Sequence, residues 1–356
     1  MKKILLGFIL LVTILTSCQS GATNIMGGDS KVDITLQVTP PTMDSTRGEG
    51  IGLDSALGAI DNFNNNSELW DSYDLRYILE IYEVITNGSN TTISDTPIYK
   101  RQVLTTDSYD NKNVNFKMQV VPNRTYMFVV WADFVDDGDS DDLYYNTANL
   151  RTISRKTGYS HTAMEEALDA YHISSTKEIK KSSTINLTLT RPMAKLRVVA
   201  LDYNEISKYS TPTNVRLKFD TENNPVYSTF NALTNEISNN CAEHTYNYSR
   251  DPMPYQEYAG TNTNGESVSG LVLFSDYFFT PRNISENEKN EYPVSFCMTV
   301  IYNNNEEINH SVDFDTQIPL SRNYLTTVVG NCLTQKESFV IEVNDTLLAG
   351  EEITEN

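Results

Sequence analysis

The sequence predicts an all-β protein of two tandem β-sandwiches with Greek-key connections, and three observations carry that prediction. Apolar and polar residues alternate with a period of two in segment after segment. The segments are separated by turns rich in Asn, Asp, Ser and Gly, and helical periodicity is scarce. A period of two gives a strand one buried and one wet face, as in antiparallel sheets packed on each other. Many short strands set off by such turns indicate sandwiches.

Taken in order, the chain opens on an export signal. Lys2 and Lys3 precede an apolar run from Ile4 to Ile14, too short to span a bilayer permanently. "LTSC" (residues 15–18) then sets a large apolar residue three positions before Cys18. This resembles a bacterial lipobox, in which the Cys sulfur is diacylated, the signal is removed and the new amine is acylated. The other reading is a plain signal peptide that contains a Cys. Residues 1–17 are thus expected to be a lipoprotein signal, with palmitate-type chains on Cys18 holding the protein on a membrane. The polar, Gly-bearing residues 18–30 form a flexible tether.

From Lys31 on, alternation dominates. "KVDITLQV" buries Val32, Ile34, Leu36 and Val38; "LRYILEI" buries Leu75, Tyr77, Leu79 and Ile81; "NVNFKMQV" buries Val114, Phe116, Met118 and Val120. "STINLTLT" and "MAKLRVVA" continue the pattern through Ile185, Leu187, Leu196 and Val198, and "VRLKFD", "PVSFCMTV", "HSVDFD" and "ESFVIEV" carry it to Val343. "HTAMEEALDAYH" (161–172) is the best helical segment, and "LDSALGAI" (53–60) suits a short turn or helix. One sandwich of this length would be unusual, and "LDYNEISKYSTPTN" (201–214) breaks the strand run. The expected domains are therefore 31–202 and 203–345, with a tail at 346–356.

Composition narrows the function. Removing residues 1–17 takes two of 27 basic residues and none of 47 acidic ones, so the mature net charge is 25 − 47 = −22. So acidic a chain repels phosphate backbones, which excludes nucleic acid as a partner. No second apolar stretch reaches the ~20 residues of a transmembrane helix. Besides Cys18 there are three cysteines, Cys241, Cys297 and Cys332, enough for one disulfide at most, so stability has to come from buried cores.

Several segments resemble the fimbrillin-type proteins of the Bacteroides group. "INLTLTRPMAKLRVVALDY", with Arg191, Ala194 and Lys195, is similar to their strand pair. "YMFVVWADF" with "YYNTANLRTIS", and "IPLSRNYLTTVVGN", are similar to a branch of fimbrillin-like lipoproteins without assigned activity. The likeness covers most of residues 31–345 and rests on structural rather than chemical motifs. It implies two transthyretin-like sandwiches, export as an outer-membrane lipoprotein, and a place at the cell surface or in a fimbrium. It also implies assembly by strand exchange: a protease cuts after an Arg in the loop behind the first strand, that strand leaves, and a strand of the next subunit takes its place. Partners would be other fimbrial subunits or copies of itself, membrane lipid through Cys18, and a host or bacterial surface glycan or protein.

On this scheme "KVDITLQV" is the first strand and "PPTMDSTRGEG" the cleavable loop, with Arg47 before Gly48 as the processing point. Arg47 is also readable as an ordinary loop Arg. The donor-strand candidate is "SFVIEVNDTLLAG", through Phe339, Ile341 and Val343; the competing reading is a last strand paired within its own domain. The first acidic residue after Cys18 is Asp29, so surface display rests on the likeness and not on a sorting signal.

Chemistry is sparse. Asp137, Asp139 and Asp141 have the i, i+2, i+4 spacing of a Ca²⁺ loop, but the sixth and twelfth positions are Asp142 and Ala148, where Gly and an acidic residue are required. A solvated acidic loop is the favoured reading, and a weak Ca²⁺ site the minority one. There is no nucleophile elbow, metalloprotease helix, phosphate loop or dinucleotide turn, and Cys241 with His244 makes a lone C-x-x-H. No cofactor and no catalytic activity are expected. Twenty-one tyrosines, with Trp70 and Trp131, leave one rival, a glycan-binding surface lipoprotein, although Tyr77, Tyr126 and Trp131 fall at strand positions that packing explains.

Overall fold

Alternation in the sequence becomes layered sheets. The structure, a computed structural model, describes residues 31–39, 72–105, 113–156, 166–206, 212–219, 226–238, 245–249, 256–261, 267–282, 292–302, 306–334 and 339–344. In chain order the strands are β1 (Val32–Thr39), β2 (Tyr73–Asn87), β3 (Asn90–Ile93), β4 (Tyr99–Thr105), β5 (Val114–Val120), β6 (Arg124–Asp136), β7 (Tyr145–Asn146), β8 (Ile153–Arg155), β9 (Ala170–Ile179), β10 (Ser183–Thr188) and β11 (Met193–Ala200). There follow β12 (Pro212–Phe219), β13 (Thr229–Asn231), β14 (Glu236–Ile237), β15 (Thr245–Ser249), β16 (Gln256–Thr261), β17 (Ser267–Phe279), β18 (Tyr292–Tyr302), β19 (Glu306–Leu320), β20 (Leu325–Gly330) and β21 (Phe339–Asn344). Among the described residues the helical elements are a 3-10 turn at Glu166–Leu168 and a four-residue helix, α1 (Tyr203–Ile206). The fold is all-β.

A first core lies between the sheet β10-β1-β5 and the sheet β3-β2-β6-β9, to which β4 adds by pairing with β2. Strand β5 buries every second residue, Val114, Phe116, Met118 and Val120, with Asn115, Lys117 and Gln119 exposed, as a half-buried sheet requires. A second core lies between β16-β17-β11-β20-β21 and β15-β12-β18-β19, and joins Leu196, Val198 and Phe274 to Leu217, Phe219, Phe296 and Met298. Strand β11 is buried along its whole length, on both faces. Where its ladder to β17 ends, beyond the pair of Ala200 with Leu271, the strands come so close that a Cβ on Gly270 would lie 2.6 Å from the Ala200 carbonyl oxygen. Only Gly fits there.

The two cores are tied by a small shared sheet, β14-β13-β8-β7. Its strands β7 and β8 precede β11 in the chain, whereas β13 and β14 follow β12 and return to the first core. Phe230 of β13 faces Ile153 of β8 in register. Its ring stacks on Phe279 at 5.6 Å and meets Trp131 at 6.1 Å, all within the first core. Buried charges reinforce the joint. Asp169 accepts two hydrogen bonds of 2.6 Å from Arg191, whose third nitrogen donates to Asn323 Oδ1 at 3.0 Å. Burial alone would lower the Arg191 pKa, but Asp169 outweighs it and holds the guanidinium charged. Arg155 of β8 donates to Asp276 of β17 at 2.8 Å and to the Tyr277 carbonyl. Asn235 and Asn323, both at positive φ in tight turns, supply the side-chain oxygens that Arg322 and Arg191 meet.

One expectation changes. Residues 161–172 do not make a helix through to their end: after the 3-10 turn, β9 begins at Ala170, and Ala170, Tyr171 and His172 pair with Asp133, Ala132 and Trp131 of β6. Capture of the Asp169 carboxylate by Arg191 and the ladder to β6 override a local helical pattern. Residues 53–60 lie outside the described residues. The second core begins at Ala194, ahead of the expected boundary between 202 and 203. We propose that the chain passes from the first unit to the second between Thr190 and Met193.

Because Phe230 of β13 is buried in the first core, urea unfolding followed by tryptophan fluorescence and by far-ultraviolet circular dichroism should give one coincident transition. Phe230→Ala should lower stability by ~3–5 kcal/mol and shift both probes together.

Candidate functional site

Strand β1 is the middle strand of its sheet, antiparallel to β5 and parallel to β10. Leu36 stands opposite Phe116 on one side and Ile185 on the other. Ile34, Leu36 and Val38 are 0–1 % exposed, so each fills a closed pocket in the first core, while Asp33 and Gln37 face outward. Fully burying an aliphatic side chain of this size contributes roughly 1.5–3 kcal/mol. Polar contacts fix the ends: the Asp33 N–H donates to Ser182 Oγ at 3.0 Å, Gln119 donates to Asp33 Oδ1 at 2.9 Å, and the Leu189 N–H donates to the Thr39 carbonyl at 2.8 Å. Taking β1 away would leave β5 and β10 each with an unpaired inner edge, lining a groove whose pockets repeat every second residue. Such a groove would offer main-chain partners on both sides and pockets at alternate positions.

The sequence-derived site residues separate under the structure. Cys18 and Arg47 lie outside the described residues, as do Trp70, Cys241 and His244. Phe339, Ile341 and Val343 belong to β21, the outermost strand of the second core's five-stranded sheet, antiparallel to β20 with Phe339 opposite Gly330 and Asn344 opposite Leu325. In the single chain, then, the C-terminal strand pairs within its own unit, by one ladder where β1 has two.

The acidic stretch is organised around Arg76, which alternation alone does not single out. Arg76 is 2 % exposed and binds Asp133 with two hydrogen bonds of 2.9 and 2.7 Å; it also meets Asp142 and the Ser140 carbonyl, each at 2.9 Å. Burial pulls the Arg76 pKa down, but the two carboxylates together hold it raised. The loop turns at Gly138, where φ is +69°, and the Gly138 N–H donates to Asp74. Asp139 accepts the N–H groups of Ser140 and Asp141, a local turn of the kind Asp favours. Asp137, Asp139 and Asp141 are exposed, and among the described residues no group of three or more His, Cys, Asp and Glu side chains is placed to hold a metal ion.

Other titratable groups take packing roles. His172 is buried against the Phe230 ring at 4.7 Å, and burial, with the nearby Arg322 charge, pushes its pKa down to about 3. Cys332 is buried and its thiol pushed up to about 12, chiefly by burial. Tyr77, Tyr126 and Trp131 lie in the core, as strand packing predicts, and offer no stacking surface.

A model of the family of unknown function DUF6562 matches residues 26–355. No curated protein matches the chain. Solved structures that align include a candidate adhesin from Bacteroides thetaiotaomicron, at 10 % identity and TM-score 0.43 over 90 % of this chain and 98 % of that one. A candidate cell-adhesion protein from Bacteroides eggerthii aligns at 9 % identity and TM-score 0.42, over 89 % and 95 %. Candidate polysaccharide-binding proteins from Bacteroides thetaiotaomicron align at 11 % and 0.41, over 88 % and 96 %.

Two outcomes follow. Leu36→Ala should destabilise the chain by ~2–5 kcal/mol in denaturant titration, whereas Gln37→Ala, on the wet face, should change it by less than ~0.5 kcal/mol. Asp142 gives a pH signature. Burial raises its pKa, but hydrogen bonds from Thr147 and the Arg76 charge outweigh that and hold it below the usual carboxylate range. A carboxyl depressed in the folded state contributes stability above its unfolded pKa, about 4, and loses it as pH falls through the folded value. Asp142→Asn should therefore flatten the acid limb of a stability-against-pH profile below about pH 4.

Proposed function

The chain belongs to the family of unknown function DUF6562, and from that premise we propose that it is a fimbrillin-like outer-membrane lipoprotein, a structural or adhesive pilus component assembled by exchange of its first strand. The observation that carries the reading is the seat of β1, central in its sheet with Ile34, Leu36 and Val38 in closed pockets. The likeness of residues 31–345 to fimbrillin-type proteins supports it, as does the lipobox at Cys18. Cleavage after Arg47 frees β1 from the rest of the chain, and β21 of a neighbouring copy enters the seat. Phe339, Ile341 and Val343 have the i, i+2, i+4 spacing of the three residues they replace, so one sheet register is traded for another. The lipid on Cys18 delivers uncut subunits to the outer membrane, and copies that stay uncut remain there as anchors. No catalytic role is part of the proposal.

Mass spectrometry of the protein from its own cells tests the processing step. Polymerised material should begin at Gly48, with acylated Cys18 confined to a membrane-bound fraction. Acylated Cys18 on every molecule, polymer included, would sink the exchange.

A further inference from the structure

The face of the β2–β4 pair turned away from β1 carries an open cleft of about 420 Å³ that the strand seat does not use. Its side of the sheet is fixed by Arg101, on the opposite face of β4, whose guanidinium lies 6.0 Å from the Phe116 ring beneath β1. We propose that this cleft binds a neutral, hydroxyl-rich saccharide. Ile78 forms a small apolar floor, with Gln102 beside it in register and Lys100 next along β4. Asp141 and Lys156 stand on the facing wall. That wall is built rather than incidental, because buried Arg76 clamps it through Asp142 and the Ser140 carbonyl.

Ligand class follows from the donor and acceptor set. The Lys100 ammonium has three N–H donors and directs two, to Glu80 at 2.8 Å and the Ala148 carbonyl at 3.4 Å. The Gln102 amide donates once, to the Ser140 carbonyl at 3.0 Å, which leaves a second N–H and a carbonyl acceptor. Asp141 adds an exposed acceptor. Donors and acceptors interleaved at this spacing suit hydroxyl groups, which do both. Charge argues against an ion. Three cations, Arg76, Lys100 and Lys156, stand among four carboxylates, Glu80, Asp133, Asp141 and Asp142, so the site offers an anion no surplus of positive charge inside a chain of net charge −20. A cation in turn would face two ammonium groups. With no aromatic ring in its lining, the cleft binds through hydrogen bonds alone, at an affinity on the order of millimolar.

The site is independent of strand exchange, so its failure and the failure of that reading are separable. Saturation-transfer NMR on the full mature chain would use methyl mannoside, methyl galactoside and N-acetylglucosamine as neutral probes, with glucuronate and glucosamine as charged counterparts. Transfer to at least one neutral sugar is expected, reduced ~5-fold in Gln102→Ala and in Lys100→Ala, the loss of about one hydrogen bond each. It should be unchanged in Lys117→Ala on the exposed face of β5. Absence of transfer to every neutral sugar, transfer that survives both cleft substitutions, or transfer to a charged sugar alone would each overturn the assignment.

Discussion

A strand in the middle of a sheet has two ladders to satisfy and two sets of neighbours that depend on it. In this protein the proposed exchange turns on one such strand, β1, the first of the described strands. Its parallel partner β10 lies about 150 residues further on, as the register of Ile34 with Ser183 shows. A sheet closed by so distant a contact cannot form until most of the first unit has folded, because loop closure is paid before the contact rewards it. The fold thus sets its first described strand in a position with two ladders to satisfy. A structural subunit that exchanges strands needs that combination: a seat too costly to leave empty and an occupant that can be released.

Beyond the seat, the two units are joined by several buried contacts. The sheet shared by the two units, the stack of Phe230 on Phe279 and the buried pairs Arg191–Asp169 and Arg155–Asp276 connect the cores at several points. Breaking any one of these pairs would leave a buried charge uncompensated, which costs several kcal/mol.

Much of this was legible in the residues. Alternation located β1, β5, β10 and β18, since each shows one face to water, and it set the all-β class. What alternation cannot carry is pairing across distance. Nothing in "KVDITLQV" says that it lies between β5 and β10, nor in "STFN" that Phe230 returns to the first core. The segment ending in "DAYH" reads as a helix because its apolar spacing is local, while its fate is decided by β6 and by Arg191. Arg76 and Asp133 sit in apolar strands where pattern reading sees only a break in periodicity; their meaning is a salt link that ties down the loop. The acidic triplet invited a metal, but Asp139 spends its oxygen on its own backbone and Asp142 spends its oxygens on Arg76 and Thr147.

On the proposed exchange, β1 has to leave its seat for the protein to assemble. Gln37 and Asn115 stand opposite each other on the exposed side of the β1–β5 ladder, where a cross-strand disulfide is geometrically possible. A chain carrying Gln37→Cys and Asn115→Cys, expressed in its own cells, would be compared by gel analysis of surface polymers under oxidising and reducing conditions. The oxidised variant should reach the membrane yet stay monomeric, and reduction should restore polymers. Polymers at the unmodified chain's level with the disulfide intact would contradict it.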